Sequence, residues 1–136
     1  MNDAARFAAA GAASATAWTL LEPLDRRIFR YDYSDVAVLG KFVTQGRAWR
    51  PLGLALHAAN GAAFGLVYRE VKHRRGWSAL RLAMLEHLAL YPLSALVDRR
   101  HPARGTDGVP KLLTPRAFGQ ATLRHAVFGA LLGRLA

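Results

Sequence analysis

Three histidines, His57, His87 and His125, stand inside weakly polar stretches of the chain, with Asn60, Glu86, Gln120 and Arg124 as their nearest polar companions. Imidazoles in such surroundings support three kinds of chemistry. His57 and His125 could ligate a haem iron as a transverse pair, and three ring nitrogens with the Glu86 carboxylate could hold a divalent metal. Glu86, His87 and Arg124 could instead line a proton or solute path, because burying ionisable groups in hydrocarbon is expensive. The third role is structural, with each imidazole making an interhelical hydrogen bond worth about 0.6 to 2 kcal/mol. Spacing selects no metal, since there is no HExxH and no second histidine at i+4. The structural role is therefore placed first, and no haem or metal cofactor is predicted.

Other chemistries are thinly represented. With Cys 0, disulfide scaffolds, thiolate metal sites and cysteine nucleophiles are excluded. Ser14, Ser34, Ser78 and Ser94 lie in no G-x-S-x-G context, and Gly40 and Gly46 belong to no phosphate loop. An enzymatic activity is not expected. The net charge of +10 leaves nucleic-acid binding by a basic helical protein as the alternative should the membrane reading fail. At 52% hydrophobic residues the chain is too apolar for a disordered basic tail.

The elements that must position these residues follow from where charge is missing. Phe7 to Leu21 and Pro51 to Tyr68 are uncharged, and the second run reaches the roughly 18 residues of a short membrane span. Leu82 to Val97 is interrupted by Glu86 and His87, and Ala117 to Leu135 by Arg124, His125 and Arg134. The four stretches predict an all-α chain of four transmembrane helices, residues 1–136 forming one integral membrane domain. Trp18, Trp49 and Trp77 fall near predicted span ends, as in an aromatic belt. The competing reading of the N-terminus is a secretory signal, but Asp3 beside Arg6 does not suit it. Asp25 to Arg50 mixes basic and large apolar residues and is expected to lie on the bilayer surface, against anionic phospholipid.

A second pattern divides the chain. His57-Ala-Ala-Asn-Gly61-Ala-Ala-Phe-Gly65 and His125-Ala-Val-Phe-Gly129-Ala-Leu-Leu-Gly133 both read HAxxGAxxG. Pro23-Leu24 and Pro92-Leu93 repeat at nearly the same offset, and each is followed by Asp-Arg-Arg. Two similar helical hairpins are expected, 1–68 and 69–136. Gly61, Gly65, Gly129 and Gly133 are small-xxx-small pairs at which helices can approach closely, and they suggest the second and fourth helices as the central pair. Gly105 and Gly108, in the last loop, are expected to tolerate replacement.

Trp18-x3-Glu22-Pro23, then a basic segment, then His57-x3-Gly61-x3-Gly65, and finally His125-x3-Gly129-x3-Gly133 resemble the small YagU-like family of bacterial inner-membrane proteins. The resemblance implies a multi-pass location in the bacterial cytoplasmic membrane and no particular reaction. The expected role is a structural or interaction component, as a homo-oligomer or with another membrane protein. The rivals are haem or metal binding, or proton or solute conduction.

Overall fold

The computed structural model describes residues 2–136, and among them it is all-helical, with one isolated bridge between Tyr33 and Gly108. Helix α1 covers Asp3–Phe29, α2 Asp35–Val43, α3 Trp49–Arg75, α4 Ala79–Leu90, α5 Ser94–Arg100 and α6 Pro115–Leu135, with a single 3-10 turn, Tyr91–Leu93, joining α4 to α5. The starts are chemically marked. Asn2, Ser34, Ser78 and Thr114 each accept a hydrogen bond from a backbone N–H three residues on, which satisfies one of the donors a helix leaves open.

Helices α1 and α3 form one antiparallel pair, and α4 and α6 another. In the first, backbone meets backbone. A Cβ added to Gly11 would lie 2.0 Å from the carbonyl oxygen of Gly61, and one added to Gly65 would lie 2.1 Å from that of Phe7. In the second pair a Cβ at Gly129 would lie 2.7 Å from the Leu80 Cα, whereas at Gly133 the nearest atom is 3.6 Å away, an ordinary contact. Phe7, Ala10, Tyr68, Ala79 and Leu132 make the core where the two pairs meet.

The pairs are joined mainly through α1 and α6, not through α3 and α6 as the glycine pattern suggested. Gly61 and Gly65 are already taken up by α1, so the glycine face of α3 is not available to α6. The side chains of Phe64 and Phe128 stand between those two helices, edge to face with centroids 5.2 Å apart.

The segment after α1 also departs from expectation. Part of it, α2, lies antiparallel along the first turns of α3, with Gly53 against the Val36 carbonyl and Gly40 against that of Trp49. Val36, Ala37 and Gly40 are buried, while Phe42 and Val43 stay exposed. Loop 101–114 clasps this helix. Ser34 N–H donates to the Gly108 carbonyl at 2.9 Å, Lys41 to that of Asp107 at 2.6 Å, and the His101 Nε2 to that of Val38 at 2.8 Å. Gly105 and Gly108 take φ of +82° and +79°, and a Cβ at Gly108 would lie 2.6 Å from that of Ala37. Gly108 is thus a fixed point of the clasp, not a tolerant loop residue, and the left-handed backbone of Gly105 resists replacement as well.

Among the described residues one helical run, Ala79–Arg100, is long and apolar enough to cross a membrane. The uncharged run in α3 does not pass that test, because its alanines, glycines, His57 and Asn60 lack charge without being strongly apolar. Trp18 does not lie at an interface either, being 3% exposed and enclosed by the bundle.

Candidate functional site: a buried ionic cluster between two cavities

Several charged and polar groups are buried inside this bundle, and many large apolar ones lie outside. Glu22, Asp25, Gln120 and Arg124 are buried, while Leu20, Ile28, Val67, Leu88, Leu93 and Leu96 are among the large apolar side chains left exposed.

Arg124, on α6, is the centre of the cluster. Its Nε donates to Asp25 Oδ2 at 2.6 Å and its Nη2 to Asp25 Oδ1 at 3.0 Å, a two-bond fork onto the end of α1. Nη1 donates to Asp35 Oδ2 at 2.7 Å and Nη2 also to the Tyr33 carbonyl at 2.8 Å. The guanidinium covers the Tyr33 ring at 4.5 Å and the Trp18 ring at 5.3 Å. Gln120, one turn before Arg124, gives its amide N–H to Asp25 at 2.9 Å. Glu22 accepts from the Ser34 hydroxyl at 2.8 Å and lies 3.6 Å from Arg26, so the N-cap of α2 is fastened to α1 by the same network. Burial works to raise the Asp35 pKa, but the facing Arg124 guanidinium, with smaller help from His57 and the Tyr33 hydroxyl, holds it down at about 2. The same Asp35 charge, added to burial, pushes the Tyr33 phenol well above its usual value.

Beside the cluster lies a cavity of about 200 Å³, walled by α1, α2, α3, α4 and α6. His57, Glu86, Arg124 and His125 all face it, with Asp35, Trp18, Phe64 and Phe128. The fold thus brings together four of the five polar site residues read from sequence. The fifth, His87, lines a neighbouring cavity of about 160 Å³, which Glu86 and His125 also border.

Hydrogen bonding fixes the protons of these imidazoles. The Nδ1 of His125 faces the Ala121 carbonyl at 2.8 Å, which can only accept, so Nδ1 carries a hydrogen. Its Nε2 lies 3.2 Å from Glu86 Oε2, an ion-pair contact when the ring is protonated. In that state Glu86 and His125 hold one exchangeable proton between them. Thr122 spends its hydroxyl hydrogen on the Phe118 carbonyl at 2.8 Å, so the His87 Nε2, 2.9 Å away, must donate to Thr122. The His87 ring lies 31° from parallel to His125, with centroids 4.6 Å apart.

Both nitrogens of His125 are thereby occupied, so His57 and His125 are not jointly offered to one iron in this arrangement. His57 Nε2 is buried with no hydrogen-bond partner among the described residues, as are Trp18 Nε1, Glu22 Oε1 and Gln120 Oε1. Among the described residues no three His, Asp or Glu side chains are grouped so as to hold a metal ion.

Asp25, Tyr33 and Asp35 are site residues that the sequence reading did not single out for chemistry. Asp25 carried a signal, as the first residue of a repeated Asp-Arg-Arg triplet, but its partner lies 99 positions away. The second triplet uses its acid differently, Asp98 accepting the backbone N–H groups of Leu112 and Leu113 at 2.6 and 2.8 Å.

The fold and site together define a small helical bundle with an internal charge network. Comparison with family models, with curated proteins and with solved structures returns no match.

Proposed function

We propose that the chain is a small multi-pass membrane protein whose central cavity takes up a solute under the control of the proton shared by Glu86 and His125. The observation that carries this reading is the position of that pair. It borders two adjacent cavities at once, half-buried between α4 and α6 in a bundle that exposes many leucines. Ionisable groups that line cavities within a bilayer-embedded bundle mark ion or solute pathways by default. The helical run Ala79–Arg100, long and apolar enough to cross a membrane, and the many exposed leucines support a bilayer setting. In that setting the two antiparallel pairs are the two related hairpins of the sequence repeat.

Two measurements test the reading. The protein should stay with membranes through carbonate extraction, and release by carbonate would end the spanning interpretation. In vesicles containing a pH-sensitive dye, wild-type protein should collapse an imposed pH gradient faster than Glu86→Gln. Equal rates would remove the proton role. A structural or interaction role is the second reading, favoured by the exposed leucines of α4 and α5, Leu85, Leu88 and Leu96, which could equally meet another membrane helix.

A further inference from the structure

The turn that joins α3 to α4 gathers cations around one indole. Arg81, in the first turn of α4, reaches back so that its guanidinium carbon lies 4.3 Å from the centre of the Trp77 ring, and that of Arg75, the last residue of α3, lies 5.8 Å from the same ring. Lys72, also in the last turn of α3, holds its ammonium 5.2 Å from the Phe7 ring and 5.6 Å from that of Tyr68. The carboxylates at this end are taken up by other groups. Asp3 pairs with Arg6 and Arg69, with His73 at 3.7 Å, and Glu70 pairs with Arg74. Lys72, Arg75 and Arg81 have no carboxylate partner among the described residues. Both arginines are exposed, and Trp77 is half-buried. The same turn opens Ala79–Arg100, the run long and apolar enough to cross a membrane. An indole at the mouth of a span prefers the headgroup level, and an arginine one turn inside lays its stem along hydrocarbon while its charge returns to that level. A guanidinium on an indole face keeps its charge there. The anion met at this depth is lipid phosphate, and cations without carboxylates favour a lipid of net negative charge.

We infer that the turn carrying Arg75, Trp77 and Arg81, with Lys72 beside it, docks the headgroup of an anionic phospholipid. The guanidiniums donate to its phosphate oxygens, and the Trp77 ring sets the depth at which they meet it. This surface lies at the end of α3 opposite to α2, which packs on the first turns of α3, so it is separate from the segment in which the sequence suggested a lipid contact. The inference rests on the bilayer placement proposed above and not on the Glu86–His125 pair.

The test is native mass spectrometry of the intact, detergent-purified protein offered equal amounts of phosphatidylglycerol and phosphatidylcholine. Wild type should retain phosphatidylglycerol at least about fivefold over phosphatidylcholine, the preference expected of a single arginine near an anionic surface. Arg75→Gln combined with Arg81→Gln should abolish most of that preference without moving the melting temperature, because both side chains are exposed and neither is in an ion pair with a carboxylate. Arg99→Gln combined with Arg100→Gln removes the same charge from the far end of the run Ala79–Arg100 and should leave the preference in place. Equal retention of the two lipids by wild type, or an equal loss in both double variants, would overturn the inference. Displacement of the retained lipid by single-stranded RNA at equal concentration would also overturn it and assign the patch to nucleic acid. If the protein resists carbonate extraction yet shows no preference for phosphatidylglycerol, the headgroup inference falls and the membrane reading stands.

Discussion

Arg124 and Asp25 meet through two parallel hydrogen bonds, Nε to Oδ2 and Nη2 to Oδ1, although 99 residues separate them in sequence. The fork locks α6 onto α1, and with Asp35 it fixes the start of α2 to the same point.

Removing that guanidinium leaves the buried Asp25 and the partly buried Asp35 without their cation. Arg124→Ala should destabilise the fold by about 3 to 5 kcal/mol, the usual cost of breaking a buried ion pair on one side. Arg124→Lys keeps the charge but cannot make the fork, and its melting temperature in detergent should fall between those of wild type and the alanine variant. Equal melting of all three proteins would show that the cluster does not hold the helices together.

The glycines of the repeated motif should separate under the smallest possible change. Gly61→Ala drives a methyl against Ala15 Cβ, 2.6 Å away, and the Gly11 carbonyl oxygen at 2.5 Å, so α1 and α3 must part. A cost of about 1 to 3 kcal/mol is expected. Gly133→Ala meets its nearest atom at 3.6 Å and should melt at or above the wild-type temperature, since alanine is the better helix former.

Acid should act through Asp35. Its folded pKa of about 2 lies below the ordinary aspartate value near 3.9, so its stabilising contribution is complete above about pH 4 and is lost as the pH falls through 2. The gap in melting temperature between wild type and Asp35→Asn should be widest above about pH 4 and narrow towards pH 2. A gap independent of pH would assign the loss to shape, not to charge.

Gly108→Ala should loosen the clasp of loop 101–114 on α2, through both its left-handed backbone and the contact with Ala37. Hydrogen exchange should accelerate at Ser34, whose N–H is bonded to the Gly108 carbonyl, and stay unchanged near Gly11 in the far half of the bundle.

Local patterns announced much of the fold. The uncharged runs place the long helices, and the small residues at Gly61 and Gly129 mark where partners press closest. They do not say which partner. Gly11, which receives Gly61, sits in an alanine-rich run with no motif of its own. For the site, His57, Glu86, Arg124 and His125 stand out because each interrupts an apolar stretch. Asp35 and Tyr33 do not, since a polar residue in a mixed basic and apolar segment looks like solvated surface until α2 is seen folded back on α3. Trp18 is a similar case: its position near a helix end suits an interface, whereas the bundle encloses it with the Arg124 guanidinium over its ring.

The long sequence interval across the ionic cluster has a consequence for biosynthesis. A ribosome adding about 5 to 20 residues per second completes Asp25 some seconds before Arg124 exists. Throughout that interval the leading half of the chain carries Asp25, and soon Asp35, without the guanidinium that receives them in the finished fold. Although the two halves look like copies, the earlier one cannot mature alone; it must wait, with Asp25 and Asp35 protonated or hydrated, until the last helix arrives.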